Sequence, residues 1–280
     1  MYSATFYCFE PQLREVLPPM SELEALIFDV DGTLADTERD GHRVAFNAAF
    51  ADAGLDWHWS VPLYGQLLSV TGGKERIAEY LRVHQPDFRC TEPLDEFIKG
   101  LHRRKTEHFV RIMGAGDIPL RSGVLRLLCE ARDAGLRLAI ATTTTLENVE
   151  ALLSAAPQPG LMDWFEVIAA GDVVPNKKPA PDIYELVLRQ LGLSPSACIA
   201  FEDSDNGVRS ALAAGLNALV VTVSSYTTAQ DFSGAALVVD QLGEPDQPAK
   251  AMVGKLAGRG CVDLDLLRAL HQSVFPSGSK

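Results

Sequence analysis

The chain has 280 residues, of which 47% are hydrophobic and 22% are charged, and its formal net charge at pH 7 is -12. This composition is ordinary for a globular protein, and the length suits one large domain or a core domain with a smaller inserted one. The acidic balance argues against a nucleic-acid partner, and an anionic substrate would need a local cluster of Lys and Arg. We expect the protein to be a monomer.

The cysteines and the apolar segments bear on the location of the protein. The five cysteines are scattered without a Cys-x-x-Cys pair, which is typical of reduced thiols in a cytosol-like compartment. No apolar segment reaches the roughly 18 residues of a membrane span. Residues 1–22 lack the apolar region of a signal peptide and are interpreted as an N-terminal extension. The sequence predicts a cytoplasmic protein without a membrane partner.

The first predicted element is an apolar strand that ends in Asp29-Val30-Asp31-Gly32-Thr33. Alternate residues of a strand point to the same side, so Asp29 and Asp31 should face one place, and Gly32 lets the chain turn sharply off the sheet. Such a group can hold a hard cation, offer a carboxylate nucleophile and keep a second carboxyl for proton transfer. The simpler alternative, a strand followed by an acidic turn, does not explain why so costly a pair closes an apolar strand.

Residues 37–114 have the pattern of a small helical domain without a convincing strand. Apolar residues recur at helical spacing from Leu34 to Gly54. Further helices are predicted at Pro62–Ser69, Lys74–Arg82 and Leu94–Met113. We interpret the alternating Trp57 and Trp59 as packing residues of this domain rather than as a platform for stacking bases.

From Pro119 onward, strands alternate with helices of ten to fifteen residues. The later strands are predicted at Leu136–Ala141, Phe165–Ala169, Ala197–Phe201, Ala218–Val223 and Ala236–Val239. The helices are predicted at Val124–Ala134, Leu146–Ser154, Pro181–Leu191 and Gly207–Ala214. This alternation predicts an α/β fold, with a parallel sheet built from residues 23–36 and 115–242 and helices on both faces. Residues 243–280 are predicted to be a C-terminal extension with one helix at Leu264–Val274.

Polar side chains follow the ends of four predicted strands, where parallel sheets place their ligand sites. The aspartate pair follows the first strand, and the hydroxyl run Thr142–Thr145, suited to phosphate oxygens, follows the second. The segment Asn176–Asp182 then places lysine just before a helix, and Glu202–Gly207 adds acidic side chains after the fourth strand. These groups should meet at one edge of the sheet.

In order and spacing, the four motifs resemble those of the haloacid dehalogenase superfamily, over about Glu24 to Val223. The resemblance implies a Rossmann-like core, with residues 37–114 as the inserted C1-type α-helical cap of that superfamily. The segments DVDGTLADTE, TGGKERI, KTEHF, ATTT and EDSDNG are most similar to those of the CbbY-type sugar-phosphate phosphatases. The β-phosphoglucomutase group is a close relative.

The resemblance implies a role for each motif residue. Asp29 corresponds to the nucleophile that takes the phosphoryl group as an aspartyl phosphate, and Asp31 corresponds to the general acid/base. Thr142 corresponds to the hydroxyl that binds the transferring phosphoryl group. Lys178, rather than Lys177, corresponds to the motif lysine.

The implied cofactor is Mg²⁺, held by Glu202 and Asp203 together with the Asp29 carboxylate and the Asp31 carbonyl. Oxygen ligands of this kind suit Mg²⁺. Phosphate monoesters hydrolyse extremely slowly without help, so the site must neutralise phosphoryl charge and fix an in-line geometry. Without a cation the carboxylates would repel one another and the substrate.

The cap is expected to choose the leaving group. On charge alone, Lys74 and Arg76 are equally compatible with an exposed helix start and with a clamp for a second, distal phosphate. The similarity of TGGKERI to the CbbY-type cap motif favours the clamp. Lys105 corresponds to a cap lysine near the active site, although a solvated helix lysine is a fair alternative.

Three more residues are expected near the substrate. Glu38 corresponds to a contact with a substrate hydroxyl, and Thr143 belongs to the hydroxyl run after the second strand. The hinge histidine of the relatives sits one residue earlier than His42, which makes Gly41 an apparent one-residue insertion. His42 is therefore either a substrate-proximal histidine or a residue of the hinge helix.

The resemblance implies a Mg²⁺-dependent phosphatase for a small phosphorylated sugar, with a ketose bisphosphate such as xylulose 1,5-bisphosphate as the expected substrate. A phosphosugar mutase of the β-phosphoglucomutase type and a phosphoglycolate phosphatase share the core motifs and remain open. A non-catalytic sensor of a phosphometabolite is a further alternative. The presence of Asp29, Asp31, Lys178 and Asp203 weakens that alternative.

Overall fold

The computed structural model describes residues 22–276, and a seven-stranded sheet forms its centre. The strands are β1 (Ala25–Phe28), β2 (Arg137–Ala141), β3 (Phe165–Ala169), β4 (Cys198–Glu202), β5 (Leu219–Thr222), β6 (Leu237–Val239) and β7 (Ala251–Val253). Their order is β3-β2-β1-β4-β5-β6-β7, with β7 antiparallel to β6 and every other pair parallel. The predicted parallel sheet is confirmed, and β1 lies in its interior, between β2 and β4.

Helices pack on both faces of the sheet and form the segment between β1 and β2. They are α1 (Arg43–Asp52), α2 (Val61–Leu67), α3 (Gly73–His84), α4 (Leu94–Gly114), α5 (Val124–Asp133), α6 (Leu146–Ala155), α7 (Asp182–Leu191), α8 (Asp205–Ala213) and α9 (Leu264–Val274). Strand β1 is apolar at every position because both of its faces are covered. Phe28 belongs to one core cluster and Ile27 to the cluster on the opposite face. None of these helices has the length and apolar character that crossing a membrane requires.

Helices α1 to α4 form the predicted cap. Its core is a cluster of aromatic and aliphatic side chains in which Trp59 is 0% exposed and Trp57 is 6% exposed. Their interpretation as packing residues is therefore confirmed. The two linkers that join the cap to the sheet run side by side, because Ala35 pairs with Leu120 in an isolated antiparallel bridge.

The chain enters α1 through a π-helical turn, Glu38–His42, that the sequence pattern did not predict. A π-helical turn accommodates an extra residue within a helix, and such turns are frequent at functional sites. The turn coincides with Gly41, the apparent one-residue insertion. A Cβ at Gly41 would lie 3.0 Å from side-chain atoms of both Phe109 and Ile118, so glycine allows the turn to pack closely there.

The C-terminal segment is bound more closely to the core than the predicted extension implies. Helix α9 lies at its predicted position and packs against α5, with Leu267 fully buried. Strand β7, which was not predicted, extends the sheet by one edge strand, and its three exposed residues give no recognisable pattern. The domain boundaries remain predictions, and most of the predicted N-terminal extension lies outside the described residues.

Candidate active site

Lys178 joins the carboxyl ends of three strands, as the positions of the motifs predict. Its Nζ lies 2.7 Å from Asp29 Oδ1, 2.6 Å from Glu202 Oε1 and 2.9 Å from the carbonyl oxygen of Ala141. The side chain is buried in the loop before α7. Burial alone would lower the pKa of Lys178, but Asp29 and Glu202 raise it above its ordinary value. The lysine is therefore held as a cation at the end of β1.

Asp29, Glu202 and Asp203 form a buried acidic cluster, with one oxygen from each lying within 4.8 Å of the others. Burial raises the pKa of Asp29 to about 7 although Lys178 opposes the shift. Burial and the two neighbouring carboxylates raise the pKa of Asp203 well above its ordinary value. One lysine cannot balance three buried carboxylates, and a divalent cation would supply the missing positive charge.

Two glycines allow the carboxylates of this cluster to lie against the backbone. A Cβ on Gly32, which has a φ of +86°, would lie 2.1 Å from Asp203 Oδ2. A Cβ on Gly207 would lie 1.8 Å from Glu202 Oε2. The other oxygen of Glu202 accepts a hydrogen bond from the Tyr184 hydroxyl at 2.5 Å. The three carboxylates supply the oxygen donors that suit Mg²⁺.

Asp31 lies in a different environment, made mostly by the cap side of the cleft. Its Oδ1 accepts a hydrogen bond from Thr37 Oγ1 at 2.5 Å and lies 2.7 Å from His42 Nε2. His42 Nδ1 lies 2.6 Å from Lys105 Nζ. Because an ammonium group can only donate, Nδ1 accepts from the lysine and Nε2–H donates to Asp31. Burial would raise the pKa of Asp31, but the contacts from His42 and Thr37 hold it well below its ordinary value.

In the structure, His42 therefore contacts Asp31 directly, and Lys105 contacts the other ring nitrogen of His42. Lys105 is 3% exposed, so it is not a solvated helix lysine. Burial lowers the pKa of Lys105 to about 8. The His42 ring stacks on Phe109 with a centroid distance of 4.1 Å. The contact from Thr37 was missed by the sequence analysis, although a hydroxyl six residues after Asp31 and next to Glu38 could have suggested it.

Arg76 is buried at the cap side of the cleft. Its Nη1 donates to the Tyr64 hydroxyl at 2.9 Å, and its other donors contact the carbonyl oxygens of Leu67 and Val70. The Tyr64 hydroxyl donates in turn to Glu38, whose Oε2 lies 3.9 Å from Arg76. Tyr64 is therefore both a core aromatic and the group that holds Glu38 and Arg76 in place.

Lys74 is not brought to the same place as Arg76. Its ammonium group pairs with the carboxylate of Asp172, which follows β3 in the core. Lys177 lies 2.8 Å from Asp172 and 3.1 Å from Glu75, so the four residues form an ion-pair cluster between cap and core. The two members of the predicted phosphate clamp have different surroundings.

A cavity of about 370 Å³ lies between cap and core. The predicted site residues that line it are Asp29, Asp31, Glu38, Arg76, Thr142, Thr143, Lys178 and Asp203. A smaller pocket of about 40 Å³ shares Asp31, Glu38, Arg76 and Thr143 with it and is also lined by His42 and Lys105. Lining residues that the sequence analysis did not single out include Asn206, Ser224, Tyr226 and Gln230. The loop after β5 carries three of them. Looking for polar side chains after that strand, as after the other four, would have found this loop.

Comparisons with known proteins identify the family of the chain. Residues 23–215 match the model of the haloacid dehalogenase-like hydrolase family. The plasmid-encoded protein CbbY of Cupriavidus necator is 49% identical over 253 residues, which cover 90% of this chain and 98% of that protein.

Two crystal structures of CbbY from Rhodobacter sphaeroides are similar to this chain. One contains phosphate, and the other is an Asp-to-Asn variant in complex with xylulose-(1,5)bisphosphate. Each has a TM-score of 0.72 and 49% sequence identity, covering 78% of this chain and 94% of that chain. The chain therefore belongs to the haloacid dehalogenase-like hydrolase family and, within it, to the CbbY group of phosphoric monoester hydrolases.

Proposed function

We propose that the protein is a Mg²⁺-dependent phosphatase that hydrolyses a small sugar bisphosphate, of the xylulose 1,5-bisphosphate type, through an aspartyl-phosphate intermediate. The observation that carries the proposal is the position of two aspartates with opposite surroundings on one cavity. Asp29 pairs with Lys178 at 2.7 Å, whereas Asp31 is bound by His42 at 2.7 Å. The relative from Rhodobacter sphaeroides, crystallised with xylulose-(1,5)bisphosphate, supports the substrate class.

The first step joins the Asp29 carboxylate to phosphorus. The bond between phosphorus and the sugar oxygen breaks, and that oxygen takes a proton from Asp31, so this step draws on the minor, protonated form of Asp31. Lys178 offsets negative charge beside Asp29, and the hydroxyl of Thr142, which lines the cavity, is available to the phosphoryl oxygens. The products of this step are the free sugar hydroxyl and an acyl phosphate on Asp29.

The second step transfers the phosphoryl group to water. Asp31 is now a carboxylate and takes a proton from the attacking water, so one turnover returns it to its starting state. The contacts from His42 and Thr37 favour this carboxylate form. Glu202 and Asp203, with Asp29 and the Asp31 carbonyl, are the residues that would hold Mg²⁺, which supplies charge stabilisation to phosphoryl oxygens.

The remaining cavity residues suit the sugar and its second phosphate. Among the described residues that line the cavity, Arg76 is the cation on the cap side, and it is positioned for a distal phosphate. Glu38 and Thr143 also line the cavity and offer acceptors and a hydroxyl to the sugar. We place His42 and Lys105 behind Asp31, where they orient the acid/base.

The test is phosphate release with Mg²⁺ from a panel of sugar monophosphates, sugar bisphosphates and phosphoglycolate, with a parallel assay for phosphosugar isomerisation. We expect fast release from pentulose bisphosphates and slow release from phosphoglycolate. Isomerisation without release would replace the proposal by a mutase activity. Absence of both activities across the panel would contradict it and favour a phosphometabolite sensor.

A further inference from the structure

Arg121 binds the backbone of several active-site loops although no motif contains it. It follows the second linker between cap and core. Its Nη1 donates to the carbonyl oxygen of Gly32 and to that of Thr222 at 3.1 Å. Its Nη2 donates to the carbonyl oxygens of Val223 and Asp240, each at 2.7 Å. One side chain therefore ties the loop after β1 to the ends of β5 and β6.

The chemistry of the side chain explains why arginine is at this position. Carbonyl oxygens from three segments surround the guanidinium group, and no carboxylate oxygen of residues 22–276 lies within 4.0 Å of Arg121. A guanidinium group presents five donors in a rigid plane, so it can contact several acceptors at once. An ammonium group offers three donors from one atom and cannot span the same set. A lysine at position 121 would leave buried carbonyl groups without a partner.

The contact with Gly32 bears directly on the active site. Gly32 follows Asp31, and its N–H donates to the carbonyl oxygen of Ala35 at 2.8 Å. Arg121 binds its carbonyl oxygen, so both polar groups of Gly32 are fixed. In a trans peptide the C=O and the N–H point in opposite directions, so the Asp31 carbonyl must face away from Ala35. The contact with Ala35 thus sets the direction of the Asp31 carbonyl, and Arg121 holds the next peptide plane on the other side of the Gly32 Cα.

The same arginine also joins the hinge of the cap to the core. Its own N–H donates to the carbonyl oxygen of Leu34 at 2.9 Å, next to the bridge between Ala35 and Leu120. Val223, which it binds from the other side, precedes the cavity residue Ser224. Arg121 is therefore in contact with both linkers and with the rim of the cavity.

We propose that Arg121 is a positioning residue for phosphoryl transfer. Its guanidinium group holds the Gly32 peptide, and through it the Asp31 backbone, in the orientation that the acid/base and the cation ligands require. The inference rests on the proposed function, because it concerns the groups that Asp31 contributes to that reaction.

Arg126 provides a control that also binds several backbone carbonyl oxygens in a different place, and it additionally pairs with Glu130 and Glu244. It lies two residues into α5, and its Nη2 donates to the carbonyl oxygens of Leu242, Gly243 and Val262 at 2.8–3.4 Å. It is not among the residues that line the cavity. A lysine at position 126 should therefore lower stability without changing the active site.

The experiment compares Arg121→Lys with Arg126→Lys in the full chain, below the unfolding temperature of each. We expect both substitutions to lower Tm, as loss of buried hydrogen bonds requires. Arg121→Lys should lower kcat for sugar bisphosphate hydrolysis by about 10- to 100-fold, in the range typical of residues that orient ligands, with KM changed less than about twofold. Arg126→Lys should leave kcat at the wild-type value. Equal kcat values for the two folded variants would overturn the proposal.

Two further measurements keep the result unambiguous. If Arg121→Lys does not fold, Arg121→Gln, which keeps two N–H donors, takes its place with the same expected direction. Calorimetric titration with Mg²⁺ alone should show weaker binding for the Arg121 variant than for Arg126→Lys, and equal binding would count against the proposal. Because this titration needs no turnover, it tests Arg121 even if wild-type protein releases no phosphate, the result that would contradict the proposed function.

Discussion

Gly207 lies in the first turn of α8, where alanine would ordinarily be the better helix former. Replacing glycine by alanine in a helix stabilises a protein by about 0.5–1 kcal/mol in the absence of other effects. At this position, however, the added Cβ would lie 1.8 Å from Oε2 and 2.1 Å from Cδ of Glu202. Lys178 at 2.6 Å and Tyr184 at 2.5 Å hold the other oxygen of Glu202. We therefore expect Gly207→Ala to push Glu202 out of at least one of these contacts.

The expected magnitude follows from what that displacement breaks. A hydrogen bond to a charged group contributes about 1.5–3 kcal/mol, and overpacking a buried site costs about 1–3 kcal/mol. Either cost is at least as large as the gain from helix propensity. We expect a net loss of roughly 1–2 kcal/mol in the free energy of unfolding. Because Glu202 belongs to the acidic cluster, the affinity for Mg²⁺ should fall by about 10- to 100-fold.

Gly100→Ala in α4 is the control, because no atom lies within 4 Å of a Cβ built there. Thermal unfolding and the Mg²⁺ dependence of phosphate release are measured for both variants. Gly100→Ala should raise Tm and leave the Mg²⁺ dependence unchanged, whereas Gly207→Ala should lower Tm and require more Mg²⁺ for half-maximal rate. A Gly207→Ala protein as stable as Gly100→Ala, with wild-type Mg²⁺ dependence, would refute the reasoning.

Three other predictions concern individual side chains. Asp29→Asn should abolish phosphate release and leave the fold intact, and retained release would rule out the nucleophile assignment. Arg76→Ala should raise KM for bisphosphates more than for monophosphates, because Arg76 lines the cavity. Lys74→Ala loses only its pairing with Asp172 and should change KM for both substrate classes alike. The same change in KM for both variants would contradict these different roles of Arg76 and Lys74. Burial lowers the pKa of Lys105 from 10.5 to about 8, so the unfolded chain binds more protons between these values. Denaturant titrations should therefore show wild type gaining stability relative to Lys105→Met as pH rises from about 8 to 10, and a constant difference would contradict the buried position.

The core of the site was predictable from the sequence because each part of it depends on local pattern. Asp29 and Asp31 follow an apolar strand, and Lys178 lies in the loop just before α7, a helix that packs on the sheet. In a parallel sheet all such positions lie at one edge, so the order of strands was not needed to bring them together. The distances from Lys178 to Asp29 and Glu202 are the outcome of that topology.

The cap was less predictable, although one feature of it could have been foreseen. Lys74 and Arg76 are two residues apart in α3, and side chains at that spacing lie about 200° apart around a helix. They cannot readily face one phosphate together, and they contact Asp172 and Tyr64 respectively. The helical periodicity of the segment was recognised, but the directions in which the charged side chains point around the helix were not considered.

Other features depend on contacts between distant segments and have no local signature. The place of His42 follows from the π-helical turn and from packing against Phe109 on α4. Arg121 lies in a segment whose pattern predicts only the approach to a helix, and its partners are spread from Gly32 to Asp240. A sequence pattern identifies which residues are polar, whereas these contacts depend on which loops the fold brings together.

The two aspartates differ in which part of the molecule determines their charge. Asp29 is paired with Lys178 and lies beside Glu202, and both partners belong to the core. Asp31 is bound through His42 to Lys105, a residue of cap helix α4. Movement of the cap away from the core would break the chain of contacts from Lys105 and leave the pairing of Asp29 intact. The contacts that favour the carboxylate form of Asp31 therefore depend on the cap helix α4, whereas the pairing of Asp29 with Lys178 does not.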